Sequence, residues 1–72
     1  MIPLTELLAG QSGEVLAVRG DDRSDRLGTY GIRPGMTVRV RQTWPAFVVQ
    51  VGETDLAFDE EIASAIEVRR TP

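Results

Sequence analysis

The stretch Gly31-Ile32-Arg33-Pro34-Gly35-Met36-Thr37-Val38-Arg39-Val40-Arg41 joins a tight turn directly to a strand. Pro34 and Gly35 occupy the second and third positions of the turn, where a type II turn favours proline and glycine. Apolar and polar residues then alternate with the period of two that is typical of a half-buried strand. The apolar set is Met36, Val38 and Val40, and the polar set is Thr37, Arg39 and Arg41. We expect the apolar set to face the core and the arginines to face solvent.

Four further segments on either side of this strand are rich in β-branched and apolar residues. They are Glu14–Arg19, Phe47–Val51, Leu56–Phe58 and Ile66–Val68. Phe47, Val49 and Val51 again show the period of two, and Thr43–Ala46 forms the hairpin connection before them. Seven glycines divide the chain into short pieces, which favours short strands over long helices.

Three short helical pieces are predicted between the strands. Ile2–Leu8 places leucines on one helical face, and Asp59–Ala65 has acidic residues in its first turn, where the helix dipole favours them. The third piece runs towards Tyr30, with Asp21, Asp22 or Ser24 as its N-cap and Gly31 after its C-terminus. The segment Arg69–Pro72 is expected to be an exposed tail.

The fold class predicted from these elements is mainly β, a small closed barrel of five strands with one or two short helices. Closing the sheet removes the edges that a small open sheet would expose. A chain of 72 residues has room for one hydrophobic core only, so we expect residues 1–72 to form a single domain.

The composition excludes most catalytic and ligand-binding chemistry. The chain contains no Cys and no His, which removes thiol nucleophiles, the usual general base and the commonest metal ligands. We therefore predict no enzyme activity, no catalytic residue, no cofactor and no metal site. Eight arginines against eleven acidic residues give a net charge of −3, which disfavours nucleic acid as a partner.

The longest uncharged run covers residues 42–52 and contains Pro45, so no segment is predicted to insert into a membrane. The first six residues also lack the basic start of a signal peptide. A cytoplasmic protein is the expectation from these two observations.

Two acidic clusters are the only candidates for cation binding. Asp59, Glu60 and Glu61 have no spacing that matches a ligand loop, and Asp21, Asp22 and Asp25 lack the glycine and glutamate of a calcium loop. We interpret both clusters as helix starts.

The candidate partner-binding residues are Arg39, Arg41, Trp44, Pro45 and Phe47. Trp44, Pro45 and Phe47 lie on or beside the hairpin, where an exposed Trp acts as an interface anchor. Arg39 and Arg41 extend from the preceding strand and would pair with acidic groups of a partner. Two alternatives remain open. Trp44 or Phe47 could instead cover an open end of the barrel, and Arg39 and Arg41 could form a solvated outer face.

A set of apolar residues and glycines runs through nearly the whole chain in a recognisable order: Leu4, Leu7, Gly10, Gly13, Val15, Leu27, Gly31-Ile32-Arg33-Pro34-Gly35, Val38, Val40, Val49, Val51, Gly52, Ala57, Ala63, Ile66 and Val68. This pattern resembles the FeoA family of small cytosolic proteins of bacterial ferrous iron uptake. The resemblance implies an SH3-like five-stranded barrel. It also implies a partner, the cytosolic part of the membrane-embedded FeoB-type ferrous iron transporter.

The sequence therefore predicts an accessory module that docks on this transporter by protein–protein interaction. The alternative is an SH3-like regulatory module that binds a metal-dependent repressor or another soluble protein, because the same module occurs at the C-terminus of DtxR-type repressors. Weak self-association and direct Fe(II) binding by carboxylates are left open.

Overall fold

Six antiparallel strands form one sheet in the order β1-β6-β2-β3-β4-β5. The computed structural model describes residues 1–71. The strands are β1 (Ile2–Pro3), β2 (Ser12–Val18), β3 (Thr37–Gln42), β4 (Phe47–Val51), β5 (Thr54–Phe58) and β6 (Ile66–Thr71). The helices are a 3-10 turn (Leu4–Glu6), α1 (Asp21–Thr29) and α2 (Glu60–Ser64).

The mainly β class is confirmed, and the five predicted strands correspond to β2–β6. The additional strand is β1, which replaces the start of the helical piece predicted over Ile2–Leu8. Ile2 pairs with Val68 and Pro3 with Glu67. Proline is tolerated here because β1 is an edge strand, where a missing N–H breaks no interior ladder.

The hydrogen-bonded sheet is not closed, in contrast to the predicted closed barrel. β1 and β5 are its two edges in the described part of the chain, residues 1–71. Register shifts between Val15 and Ala17 in β2 and between Val40 and Gln42 in β3 mark irregularities of the bulge type. Bulges bend a strand and increase its twist, so the sheet wraps around the core without joining its ends.

One cluster of buried apolar side chains fills the inside of the sheet. Its members are Leu4, Leu7, Val15, Leu27, Ile32, Val38, Val40, Phe47, Val49, Val51, Ala63, Ile66 and Val68. Every strand from β2 to β6 contributes to the core or packs against it, with Leu56 and Phe58 of β5 partly buried. The alternation predicted for β3 is confirmed for Val38 and Val40, but Met36 is exposed because it lies in the turn before the strand begins.

The predicted turn is present and is fastened to β2. The N–H of Met36 donates to the Arg33 carbonyl at 3.0 Å, and the φ of Gly35 is +95°, as the third position of a type II turn requires. Gly35 also donates to the Val15 carbonyl, and the Val15 N–H donates to the Met36 carbonyl, both at 2.8 Å. These two bonds set where β3 starts against β2.

The helix predicted before Tyr30 is confirmed as α1, but its predicted cap is wrong. The N-cap is Gly20, which has no capping side chain, and Asp21 and Asp22 lie in the first turn. Gly31 has a φ of +98° directly after the C-cap Tyr30, as predicted for the end of the helix. Neither α1 nor α2, nor any other helix within residues 1–71, is long and apolar enough to cross a membrane.

The chain end differs from the predicted exposed tail. Arg69, Arg70 and Thr71 continue β6 and pair with Glu14, Gly13 and Ser12 of β2, while Pro72 lies outside the described residues. Arg69 also makes an ion pair with the Glu14 carboxylate across the two strands. Pairing with β2 therefore extends the strand beyond its apolar part.

Two glycine substitutions test whether the turn geometry contributes to stability. Gly35→Ala adds a Cβ that meets no atom within 4 Å, so its cost is the positive φ alone, about 1–2 kcal/mol of unfolding free energy. Gly28→Ala, in α1, should raise the unfolding free energy by about 0.5–1 kcal/mol, because helix propensity improves without strain. Urea denaturation measures both values. Equal effects of the two substitutions would contradict the turn assignment.

Candidate partner-binding surface

The outer face of β3 presents Arg39 and Arg41 to solvent. Both side chains are exposed, whereas Val38 and Val40 between and beside them are fully buried on the other face. The pleat of the strand accounts for this division, because successive side chains point to opposite faces of the sheet. The predicted exposure of both arginines is thus confirmed.

The two arginines differ in their neighbours. The Nε of Arg41 lies 3.8 Å from the Asp55 carboxylate on β5, and its Nη1 donates to the Gln50 side chain at 3.5 Å. Arg39 lies opposite Ser12 on β2 and Gln50 on β4, both uncharged. Within residues 1–71 no carboxylate lies within 4.0 Å of the Arg39 guanidinium.

The hairpin between β3 and β4 carries the one Trp of the chain at its tip. Trp44 is 82% exposed, and the Trp44–Pro45 peptide bond is cis. The Gln42 amide donates to the Ala46 carbonyl at 3.3 Å and links the two ends of the hairpin. The Trp44 indole is a large apolar group that lies mostly in solvent. This exposure favours the hypothesis that Trp44 contacts a partner over the hypothesis that it covers an open end of the barrel.

Phe47 does not belong to this surface. It is the first residue of β4, it pairs with Phe58, and it is only 7% exposed within the core. Its inward direction follows from the same alternation that buries Val49 and Val51. Arg39 and Arg41 on β3 and Trp44 and Pro45 in the hairpin that follows it are all exposed, and we call these four residues the hairpin surface.

The acidic clusters have the roles expected of helix starts. Asp59 is the N-cap of α2, and its side chain accepts a hydrogen bond from the Ile62 N–H at 2.9 Å. Asp21 and Asp22 lie in the first turn of α1. In the described range, 1–71, no group of three or more carboxylates is arranged to hold a metal ion.

One exposed aromatic residue was missed as a candidate. Tyr30, at the C-cap of α1, is 61% exposed and lies beside residues of β5 and α2. In the sequence it stands in the helix pattern next to Gly31, so nothing local distinguishes it from a packing residue. Its neighbours come from chain segments far away in the sequence.

Stability measurements on two aromatic variants test whether Trp44 lies free on the surface and Phe47 packs in the core. Trp44→Ala should change the unfolding free energy by less than about 0.5 kcal/mol, because an exposed side chain has few contacts to lose. Phe47→Ala should lower it by about 3–5 kcal/mol, because the substitution opens a cavity in the core. Similar losses for both variants in urea denaturation would show that Trp44 packs on the domain.

Comparison with known proteins agrees with the fold and its sequence pattern. The family model described as the FeoA domain matches residues 2–70. A search of the curated proteins found no match.

Three solved structures illustrate the likeness. A crystal structure of an iron uptake regulatory protein, FeoA, is 27% identical, with a TM-score of 0.89 over 97% of this chain and 96% of that chain. FeoA of Stenotrophomonas maltophilia in complex with zinc, described as a prokaryotic SH3 domain protein, is 28% identical, with a TM-score of 0.83 over 96% and 91%. IdeR of T. acidophilum is 22% identical, with a TM-score of 0.87 over 97% of this chain and 34% of that chain, a likeness of fold alone.

These comparisons confirm the predicted SH3-like fold, and IdeR contains the same fold as part of a longer chain. The family match covers nearly the whole described chain. The chain belongs to the FeoA family, whose members are linked to ferrous iron transport.

Proposed function

We propose that this protein is a non-catalytic accessory protein of ferrous iron uptake that acts in the cytoplasm. Residues 1–72 act as one docking unit for the cytosolic part of a FeoB-type transporter. Membership of the FeoA family supports the link to iron uptake. The observation that supports the docking role is the exposed Trp44 in the hairpin that follows Arg39, whose guanidinium has no carboxylate within 4.0 Å among residues 1–71.

The hairpin surface has the composition of an interaction hot spot. Trp and Arg are enriched among residues that dominate binding energy, and such residues work best when they become fully desolvated on contact. Trp44 would supply the buried apolar area, and Arg39 would select a partner surface that carries a carboxylate. Arg41 contributes less, since Asp55 and Gln50 already contact it.

Zinc, which is bound in the S. maltophilia structure, is not carried over to this chain. The chain has no Cys or His, the ligands that zinc prefers, and its carboxylates do not converge anywhere in residues 1–71. The proposed role therefore consists of contact between two protein surfaces and involves no metal and no reaction step.

Affinity capture from solubilised membranes that contain a FeoB-type transporter tests the docking role. The tagged wild-type protein should retain the transporter. The double variant Trp44→Ala/Arg39→Glu should retain at least about tenfold less, because it removes the anchor and reverses the orienting charge. Quantitative mass spectrometry of the retained proteins gives the ratio.

Met36→Ala is the control, since it removes an exposed apolar side chain in the turn before β3, outside the hairpin surface. It should retain as much transporter as the wild type. Equal retention by the double variant would refute the hairpin surface as the contact. Failure of the wild type to retain any transporter, together with capture of a metal-dependent repressor, would instead favour the alternative regulatory function.

A further inference from the structure

β5 is a sheet edge whose outward backbone groups have no partner strand among residues 1–71. A two-residue connection, Gly52–Glu53, joins Val51 to Thr54, which makes this pair a hydrogen-bonded pair of the hairpin. The bonded pairs therefore recur at Leu56 and Phe58. By the same alternation, the N–H and C=O groups of Asp55 and Ala57 point away from β4 towards the free edge.

An apolar groove of about 380 Å³ lies beside this free edge. We call it the β5 groove; its main lining residues are Arg26, Leu27, Tyr30, Leu56, Phe58 and Ile62. It occupies the place where α1 and α2 border β5, at the unclosed end of the sheet. An exposed row of backbone donors and acceptors next to an apolar groove is the arrangement that binds extended peptides by strand addition.

The pleat of β5 determines which side chains of an added strand would enter the groove. Leu56 and Phe58 pair with the buried Val49 and Phe47 and so lie on the inner face, whereas Asp55 and Ala57 lie on the outer face. A strand added beside Asp55 and Ala57 continues the same pleat. Every second side chain of that strand would therefore project into the groove.

The charge around the groove favours acidic side chains in the added strand. Arg26 is exposed, and within residues 1–71 no carboxylate lies within 4.0 Å of its guanidinium. Arg23, which also lines the groove, forms an ion pair with Glu61, with its Nη2 atom 3.7 Å from the Glu61 Oε1 atom. The Glu61 side chain is largely exposed. Asp22 and Asp25 on α1 are the acidic residues nearest to Arg26 in the sequence, and neither carboxylate lies within 4.0 Å of its guanidinium.

We infer that the β5 edge is a second docking site, which binds an extended segment of a partner protein by strand addition. In that segment an apolar residue occupies the β5 groove, and acidic residues two positions before and after it lie on the same face. The apolar residue contacts Leu56, Phe58 and Tyr30, and an acidic residue pairs with Arg26. This site uses other residues than the hairpin surface, although Arg41 of that surface contacts the Asp55 side chain on the outer face of β5.

A blocked heptapeptide tests this inference directly. The probe is Ac-Ser-Glu-Thr-Leu-Thr-Glu-Ser-amide, in which both glutamates share a face with the leucine. Titrated into the isotope-labelled protein, it should shift the amide signals of α1, β5 and α2 with a dissociation constant of about 1 mM or lower. A peptide with lysines in place of both glutamates should bind at least about tenfold more weakly.

Variants of the protein separate the two parts of the inference. Ala57→Pro removes an N–H that points to the free edge and leaves the bonds to β4 intact, so it should fold and lose binding of the probe. Arg26→Glu should weaken binding at least about tenfold, and Arg26→Lys should restore most of it. Arg39→Glu, on the outer face of β3, should leave binding of the probe unchanged.

Several results would overturn the inference. They are absence of saturable shifts, equal binding of the lysine peptide, or unchanged binding by a folded Ala57→Pro variant. Concentration-dependent shifts of the same signals without peptide would assign the edge to a second copy of this chain. Because the probe contains no transporter, its failure leaves the capture experiment unaffected, and failure of the capture experiment leaves the peptide result standing.

Discussion

The pair of backbone hydrogen bonds between Val15 and the Arg33–Met36 turn is the constraint on which the rest of the structure depends. Gly35 donates to Val15, and Val15 donates to the Met36 carbonyl, so β3 begins at a fixed position opposite β2. From there Glu14 faces Thr37 and Ser12 faces Arg39. A slip of one residue would turn Val38 and Val40 outward and bury two arginines, which no domain of this size tolerates.

The same register also positions the residues of the proposed docking surface. β3 contributes its inner face to the core and its outer face to the hairpin surface, so the residues that stabilise the fold also orient Arg39. At the far edge of the sheet, β5 does not pair with β1, and residues of α1 and α2 lie beside β5. Incomplete closure thus leaves two free strand edges in the described chain, and an apolar groove lies beside the β5 edge.

Local patterns in the sequence predicted the parts of the fold that depend on local chemistry. The type II turn, the β3 and β4 alternations and the presence of a short helix at α2 follow from residues adjacent in the chain. The extension of β6 to Thr71 and the pairing of Ile2 and Pro3 were not predicted, because both depend on a partner strand distant in the sequence. Backbone pairing with that partner outweighed the weak helical pattern at the start of the chain.

The candidate site was predicted only in part, because only its local features leave a pattern in the sequence. Arg39, Arg41 and Trp44 are exposed, as strand alternation and a short hairpin indicate. Phe47 was wrongly assigned to the surface, although its own alternation with Val49 and Val51 already pointed inward. The β5 groove left no signal in the sequence, because its lining comes from α1, β5 and α2 and each contributes only one or two apolar side chains.

The docking role of the hairpin surface is tested by mapping the contact between the isotope-labelled protein and the purified cytosolic part of a FeoB-type transporter. We expect the amide signals of Arg39, Arg41 and the hairpin residues 43–46 to shift or broaden on addition of the transporter domain, and the indole N–H signal of Trp44 to change with them. A spectrum that stays unchanged at saturating transporter domain, or changes confined to residues outside β3 and its hairpin, would contradict this docking role.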